Sequence, residues 1–295
     1  MSIVAERVSE RRPVRDDVSP AMRTGRISTA TSYAILLAMA VITLLPFVSI
    51  ALAALQPPGT LVSGLAIPTN PSLESFRQAW TTASFGSLLW SSVKICLGVV
   101  PIAMTCATLA GYALGTMNVP GGKAIFAIFV LGLTLPIELI VIPLYFDLRA
   151  VGLTNSAWGV ILAECGVFMP FGVFWMRTHF RSMPRELLEA AEIDGASSFT
   201  VLRRVLLPIS GPALSTMAVL FFMWSWNQFL LVLILIQDPT QRTAPAGLGF
   251  FVGQYSSDVP VLCAGTLIVI LPIVVVYLVF QRKFISGMLS GAVKG

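Results

Sequence analysis

Residues 184–208 read Pro184-Arg185-Glu186-Leu187-Leu188-Glu189-Ala190-Ala191-Glu192-Ile193-Asp194-Gly195-Ala196-Ser197-Ser198-Phe199-Thr200-Val201-Leu202-Arg203-Arg204-Val205-Leu206-Leu207-Pro208. Pro184 suits a first helical turn, and Glu186 and Glu189 complement the positive end of a helix, so a short helix is expected to run to Gly195. On it Leu187, Ala190 and Ala191 share one face, while Arg185, Glu189 and Glu192 are polar. Small residues on that face let another protein approach closely. A second helical stretch opens at Ser197-Ser198, passes Arg203 and Arg204, and stops at Pro208. Together they form a helix-turn-helix elbow.

Outward from the elbow, the chain is apolar. Of 295 residues 56% are hydrophobic and only 11% charged, with mean hydropathy +0.85. That balance does not fit a soluble domain. A bilayer-spanning helix needs about 20 mostly apolar residues. Six segments qualify, at roughly 33–55, 88–112, 124–146, 157–176, 213–236 and 261–280. The chain is therefore expected to be an all-α polytopic membrane protein of six transmembrane helices. A polar leader (1–31) precedes a six-span domain (32–295), with the elbow in the longest loop (177–212) and a short tail (281–295).

Basic residues near span ends are retained on the cytoplasmic side. With the N-terminus inside, fifteen of the nineteen Lys and Arg residues fall there, among them Arg177, Arg181, Arg185, Arg203, Arg204, Arg282 and Lys283. Arg77, Lys94, Arg149 and Arg242 are left to the other side or just inside a span. Both termini and the elbow are thus expected in the cytoplasm. This asymmetry explains the net charge of +5 without a nucleic-acid partner. Ala51-Leu52-Ala53 resembles a signal-peptidase site, but its apolar run is too long and its leader too polar, so an uncleaved first span is expected.

The loops carry further signals. Residues 71–80 suggest a short surface helix with Phe76 and Trp80 on one face, and Gly111 and Gly115 form a small-xxx-small pair for close helix packing. The loop 237–260 is rich in Gly and Pro around Phe250, Phe251 and Tyr255, a composition suited to contact with a partner. Cys96, Cys106, Cys165 and Cys263 lie in spans without metal or disulfide spacing. The single histidine, His179, has no metal or nucleophile constellation around it, so no catalytic residues and no metal site are assigned and an intramembrane enzyme is disfavoured.

Glu189-Ala190-Ala191, three residues, Gly195, nine residues, then Val205-Leu206-Leu207-Pro208 resembles the EAA loop of binding-protein-dependent ABC importer permeases, with Val205 in place of the family's Ile. The resemblance implies a coupling helix seated in a cleft of an ATPase subunit. Glu189, Ala190, Ala191, Asp194 and Gly195 would be docking residues, with Pro208 closing the motif. Trp224-Ser225-Trp226-Asn227 and the tail from Gly287 to Gly295 look like the second permease of maltose-type carbohydrate importers, a likeness covering about residues 30–295. It implies a tail (285–295) reaching the ATPase dimer. It also implies an outer loop (245–257), with Phe250, Phe251, Gln254 and Tyr255, that meets an extracytoplasmic solute-binding protein. A second homologous permease and a bacterial inner-membrane location complete that picture.

No phosphate-binding Gly-x-x-x-x-Gly-Lys-Ser/Thr loop occurs in the chain, so no cofactor is expected on it, and ATP and Mg belong to the partner ATPase. Ionisable groups inside spans are costly and mark candidate sites, which singles out Glu138 and Glu164. Glu138, beyond Pro136, either meets solute or bonds a neighbouring helix. Glu164 either faces a wet cavity or pairs with a polar neighbour. Asn227 and Gln228 beside Trp224 and Trp226 suit a polyhydroxyl ring, and interhelical hydrogen bonding is an equal reading. The expected function is half of an ATP-driven pathway for a di- or oligosaccharide or related solute. The rival is an ion-coupled secondary transporter working through an intramembrane carboxylate.

Overall fold

A computed structural model describes residues 26–251 and 258–292, with side chains from 31 to 281 within them. The leader to residue 25, Gln254 and Tyr255 in the loop, and residues 293–295 of the tail lie outside the described residues. Among the described residues every regular element is helical.

The chain divides into two units, 1–48 and 49–295. The first holds the helical stretch 26–48, which opens α1 (Arg26–Ala54). No Pro or Gly stands between Arg26 and Pro46, so the helix of the first span extends back into the end of the stretch expected to be leader.

In the second unit, α2 (Glu74–Thr82) is the short surface helix, but it buries Ser75 and Ala79 and leaves Trp80 exposed. The reason is local: the Ser75 hydroxyl donates to the Gln56 carbonyl at 2.6 Å, drawing the small-residue face inward.

The spine of the unit is α3 (Phe85–Thr116) packed alongside α6 (Ala157–Arg181). The two run parallel, with Ala107 meeting Gly172 and Gly111 meeting Met176. A methyl group added at Gly172 would lie 2.6 Å from the Ala107 side chain, and one at Gly111 would lie 2.6 Å from that of Met176. The helices approach this closely only because both positions lack a side chain. Gly115 also faces α6, as the small-xxx-small spacing predicts. Arg177 locks the far end: its Nε donates to the Leu114 carbonyl at 3.0 Å, and its guanidinium lies 3.7 Å from the centre of the Phe126 ring.

Among the described residues four helices are long and apolar enough to cross a bilayer, and up to six spans result if two bent pairs, Gly122–Gly132 with Ile137–Ala150 and Ser198–Ile209 with Gly211–Trp226, each count as one. The expected third span, 124–146, is α4 (Gly122–Gly132) and α5 (Ile137–Ala150), set at 105°. Pro136 supplies no backbone donor and disfavours the helical conformation at Leu135, which ends α4 early. The expected fifth span, 213–236, is interrupted as well. It comprises α9 (Gly211–Trp226) and α10 (Leu230–Leu235), separated by a break at Asn227. At 1.5 Å per residue the 16 residues of α9 reach about 24 Å, short of a hydrocarbon core of roughly 30 Å. Before α9, α7 (Glu186–Ile193) and α8 (Ser198–Ile209) form the elbow, and α8 meets α9 at 81°. The last helix is α11 (Val259–Ala292).

Among the described residues two buried clusters result. The larger joins α3 and α6 to the elbow and to α9 and α10, through Val99, Ala107, Met176, Leu206 and Phe221. The smaller gathers Phe85, Leu88, Phe251 and Ala264 at the other end of α3.

Candidate functional site

The elbow begins with an exposed helix that has a specific stop. Gly195 follows α7 with φ +70, donating its N–H to the Glu192 carbonyl at 3.0 Å, while Ala196 donates to Ala191 at 3.0 Å. These paired bonds form a Schellman ending, which needs a left-handed residue at this position. Ser197 then caps α8, its hydroxyl accepting from the Thr200 N–H at 3.3 Å. Within α8, residues Val201–Leu206 wind as a π-helix, a form that recurs at working segments of helices.

The structure separates residues that the sequence groups together. Glu189, Ala190, Asp194 and Gly195 are exposed, and so is Pro208 near the bend. Ala191, 7% exposed, faces inward and seats α7 on the rest of the chain together with Leu188. The 100° step of a helix turns neighbouring alanines to different sides. Ile193 was not anticipated, although an isoleucine at the polar end of a short helix is itself a signal. It is 86% exposed and sits beside Asp194.

Polar bonds hold the elbow to the spine. The Tyr112 hydroxyl of α3 donates to the Ser198 carbonyl at 2.9 Å. His179 Nε2 lies 3.1 Å from the Ser210 hydroxyl, which in turn donates to Leu206 at 2.7 Å. Trp175 Nε1 donates to the Ala213 carbonyl at 3.1 Å, joining α6 to the start of α9.

A cavity of about 400 Å³ opens between α6, α9 and the start of α5, lined by Ile137, Val167, Phe168, Met223, Trp224 and Asn227, with Gln228 beside them. Trp224 is 38% exposed, and its ring is braced by Phe171 at 4.9 Å and Phe168 at 5.6 Å. At the break after α9, Asn227 Nδ2 donates to the Met223 carbonyl at 2.8 Å, and Gln228 Oε1 accepts from the Leu231 N–H at 3.4 Å. Each amide thus spends one atom on a helix end and leaves the other, Oδ1 or Nε2, for a ligand. The two side chains that flank the break also line the cavity. Trp226 takes no part: it is buried, and its Nε1 donates to the Val269 carbonyl at 3.2 Å. A larger cavity of about 520 Å³, bordered by Leu97, Phe222 and Val276, is almost wholly apolar and offers nothing to orient a polyhydroxyl solute.

The carboxylates part company. Glu164 is 0% exposed within the α3–α6–α9 junction, and neither oxygen has a hydrogen-bond partner. It therefore neither lines the cavity nor pairs with a polar neighbour. Glu138 is exposed in the first turn of α5, where the helix dipole favours a carboxylate, and not in a bundle interior. Phe250 is exposed, whereas Phe251 is 7% exposed and stacks on Phe85 with ring centres 6.2 Å apart. As packed here, Phe251 belongs to the core and not to a contact surface.

Against known proteins, residues 107–287 match the family described as binding-protein-dependent transport system inner membrane component. The diacetylchitobiose uptake system permease of Streptomyces coelicolor is 30% identical over 92% of this chain and 91% of its own length. The trehalose transport system permease SugB of Mycobacterium tuberculosis is 33% identical over 85% of this chain and 93% of its own. In structure, a chain of a bacterial ABC transporter involved in import of the acidic polysaccharide alginate shares the fold, with a TM-score of 0.76 at 20% identity over 89% of this chain and 98% of that one. With the EAA spacing, the bent spans and these likenesses together, the chain belongs to the binding-protein-dependent transport system inner membrane components, a family of multi-pass ABC importer permeases.

Proposed function

We propose that this chain forms half of the translocation pathway of an ATP-driven importer for a di- or oligosaccharide or related solute, beside a second homologous permease. The elbow docks on an ABC ATPase dimer that carries ATP and Mg, and an extracytoplasmic binding protein delivers solute at the opposite end of α3. Both termini are cytoplasmic in this reading, which the placement of Lys and Arg supports. The observation that carries it is continuity: the exposed α7, with EAA spacing and a glycine stop, leads through α8 into α9, whose other end supplies Trp224 and Asn227 to the cavity.

The cavity supports the solute class. A braced indole face beside amide donors and acceptors fits a pyranose ring, which is apolar on its faces and polar at its edge. Relatives named for diacetylchitobiose and trehalose point the same way. Closure of the ATPase dimer shifts α7 and α8, and the bend into α9 turns that shift into a change at the cavity wall. The chain contributes movement and lining, and bond chemistry stays on the ATPase.

The test is uptake into liposomes holding this permease with its partner subunits. Accumulation is expected to require ATP and the binding protein and to be indifferent to an imposed ion gradient. Glu164→Gln is expected to keep uptake within about 2-fold, since an amide of the same shape replaces a group that pairs with nothing. Uptake that follows an ion gradient without ATP and collapses in Glu164→Gln would establish the ion-coupled alternative.

A further inference from the structure

The elbow is continuous along the chain with α6, through residues 182–185, and with α9, through Ser210. It has no such link to α3. Among the described residues the hydrogen bond that joins α3 to the 186–209 elbow is the one from Tyr112 to the Ser198 carbonyl, at 2.9 Å. Its surroundings make it a point of transmission. The Tyr112 side chain is buried, and its ring meets Phe180 of α6 edge-on, with centres 5.8 Å apart. Ser198 is the first residue of α8, just ahead of the π-helical segment. Between α7 and the end of α3 lies a cavity of about 200 Å³ that Tyr112, Thr116, Leu188 and Glu192 help to line, so the elbow is not packed solidly on α3 here.

We propose that Tyr112 is a positioning residue of the transport cycle: its hydroxyl ties the second arm of the elbow to the α3–α6 spine, so that both walls of the solute cavity move with one lever. One wall is α9, which α8 moves directly across the 81° bend. The other is α6, which carries Val167 and Phe168 and is locked to α3 at Gly111 and Gly172. A hydroxyl bonded to a backbone carbonyl suits this task, because the carbonyl's position follows the helix itself and not a side-chain rotamer. Without the bond, α8 is released from α3 at Ser198, the spine is left to follow α9 through His179 and Trp175 of α6, and ATP is spent without full opening of the cavity.

This proposal rests on the docking role of the elbow. The experiment compares wild type with Tyr112→Phe, which keeps the ring against Phe180, in the full complex with ATPase and binding protein. The readouts are ATPase retained on purification, ATP hydrolysed, and solute delivered per ATP. The expected result is unchanged ATPase retention, near wild-type hydrolysis and unchanged melting, with solute per ATP lowered about 3- to 10-fold, the size of one hydrogen bond. An unchanged ratio with the ATPase in place overturns the strut alone. Early melting or loss of the ATPase in Tyr112→Phe assigns Tyr112 a merely structural role and also overturns it. A wild-type permease that retains no ATPase overturns the strut and the docking role together.

Discussion

The two ends of α3 are built differently. At the Thr116 end stands the elbow, with an exposed α7, a cavity beneath it and a hydrogen bond from Tyr112. At the Phe85 end the segment from Ile236 to Gly247 is fastened at nearly every step. Asn155 Oδ1 accepts from the N–H groups of both Gln237 and Asp238, at 3.1 and 3.0 Å, and its own N–H donates to Leu235 at 2.7 Å. Ser87 donates to the Thr240 carbonyl at 3.0 Å, and Ser92 accepts from Ala244 at 2.9 Å. Asp238 accepts from the Thr240 hydroxyl, which holds its carboxyl below the usual aspartate value. One end is a clamp and the other, in the proposed function, a lever, a division of labour that suits alternating access.

The largest break in that contrast is expected from Gly195→Asp. A left-handed residue other than glycine costs roughly 1–2 kcal/mol, but aspartate is among those that enter this conformation most readily, and an added side chain meets no atom within 4 Å. The fold should survive while a charge enters the proposed docking surface, so uptake is expected to fall by more than about 10-fold in an ATP-driven assay.

Trp224→Ala comes next and acts between the two ends. Losing a stacking face is worth about 0.5–1.5 kcal/mol beyond area, so half-saturation for uptake should rise roughly 3- to 10-fold with maximal ATP hydrolysis little altered. Asn155→Ala loosens the clamp, removing an acceptor shared by two N–H groups and placing alanine at φ 55. The melting temperature is expected to drop by a few degrees, with ATPase retention intact. Glu164→Gln, already described, should change least.

Much of the fold could be read from hydropathy, because a bilayer imposes a length that the sequence must meet. The bends were less legible. Pro136 ends α4, whereas Pro101 and Pro170 lie inside α3 and α6, and one proline looks like another in sequence. Neighbouring helices can accommodate proline within a span, so its effect depends on contacts that the local sequence does not hold. The break at Asn227, where Nδ2 donates to the Met223 carbonyl, has neither proline nor glycine to announce it. In the elbow the turn chemistry of Gly195 was legible because it is local. Which alanine faces inward, the solitude of Glu164 and the burial of Phe251 were not, because each is set by helices distant in sequence.

Docking of the ATPase on α7 underlies the proposed function. It is tested most directly by purifying wild type and Gly195→Asp from membranes that also hold the ATPase and measuring the ATPase recovered with each. ATPase is expected with the wild type and little or none with Gly195→Asp, at equal amounts of folded permease. Equal recovery with both would contradict it.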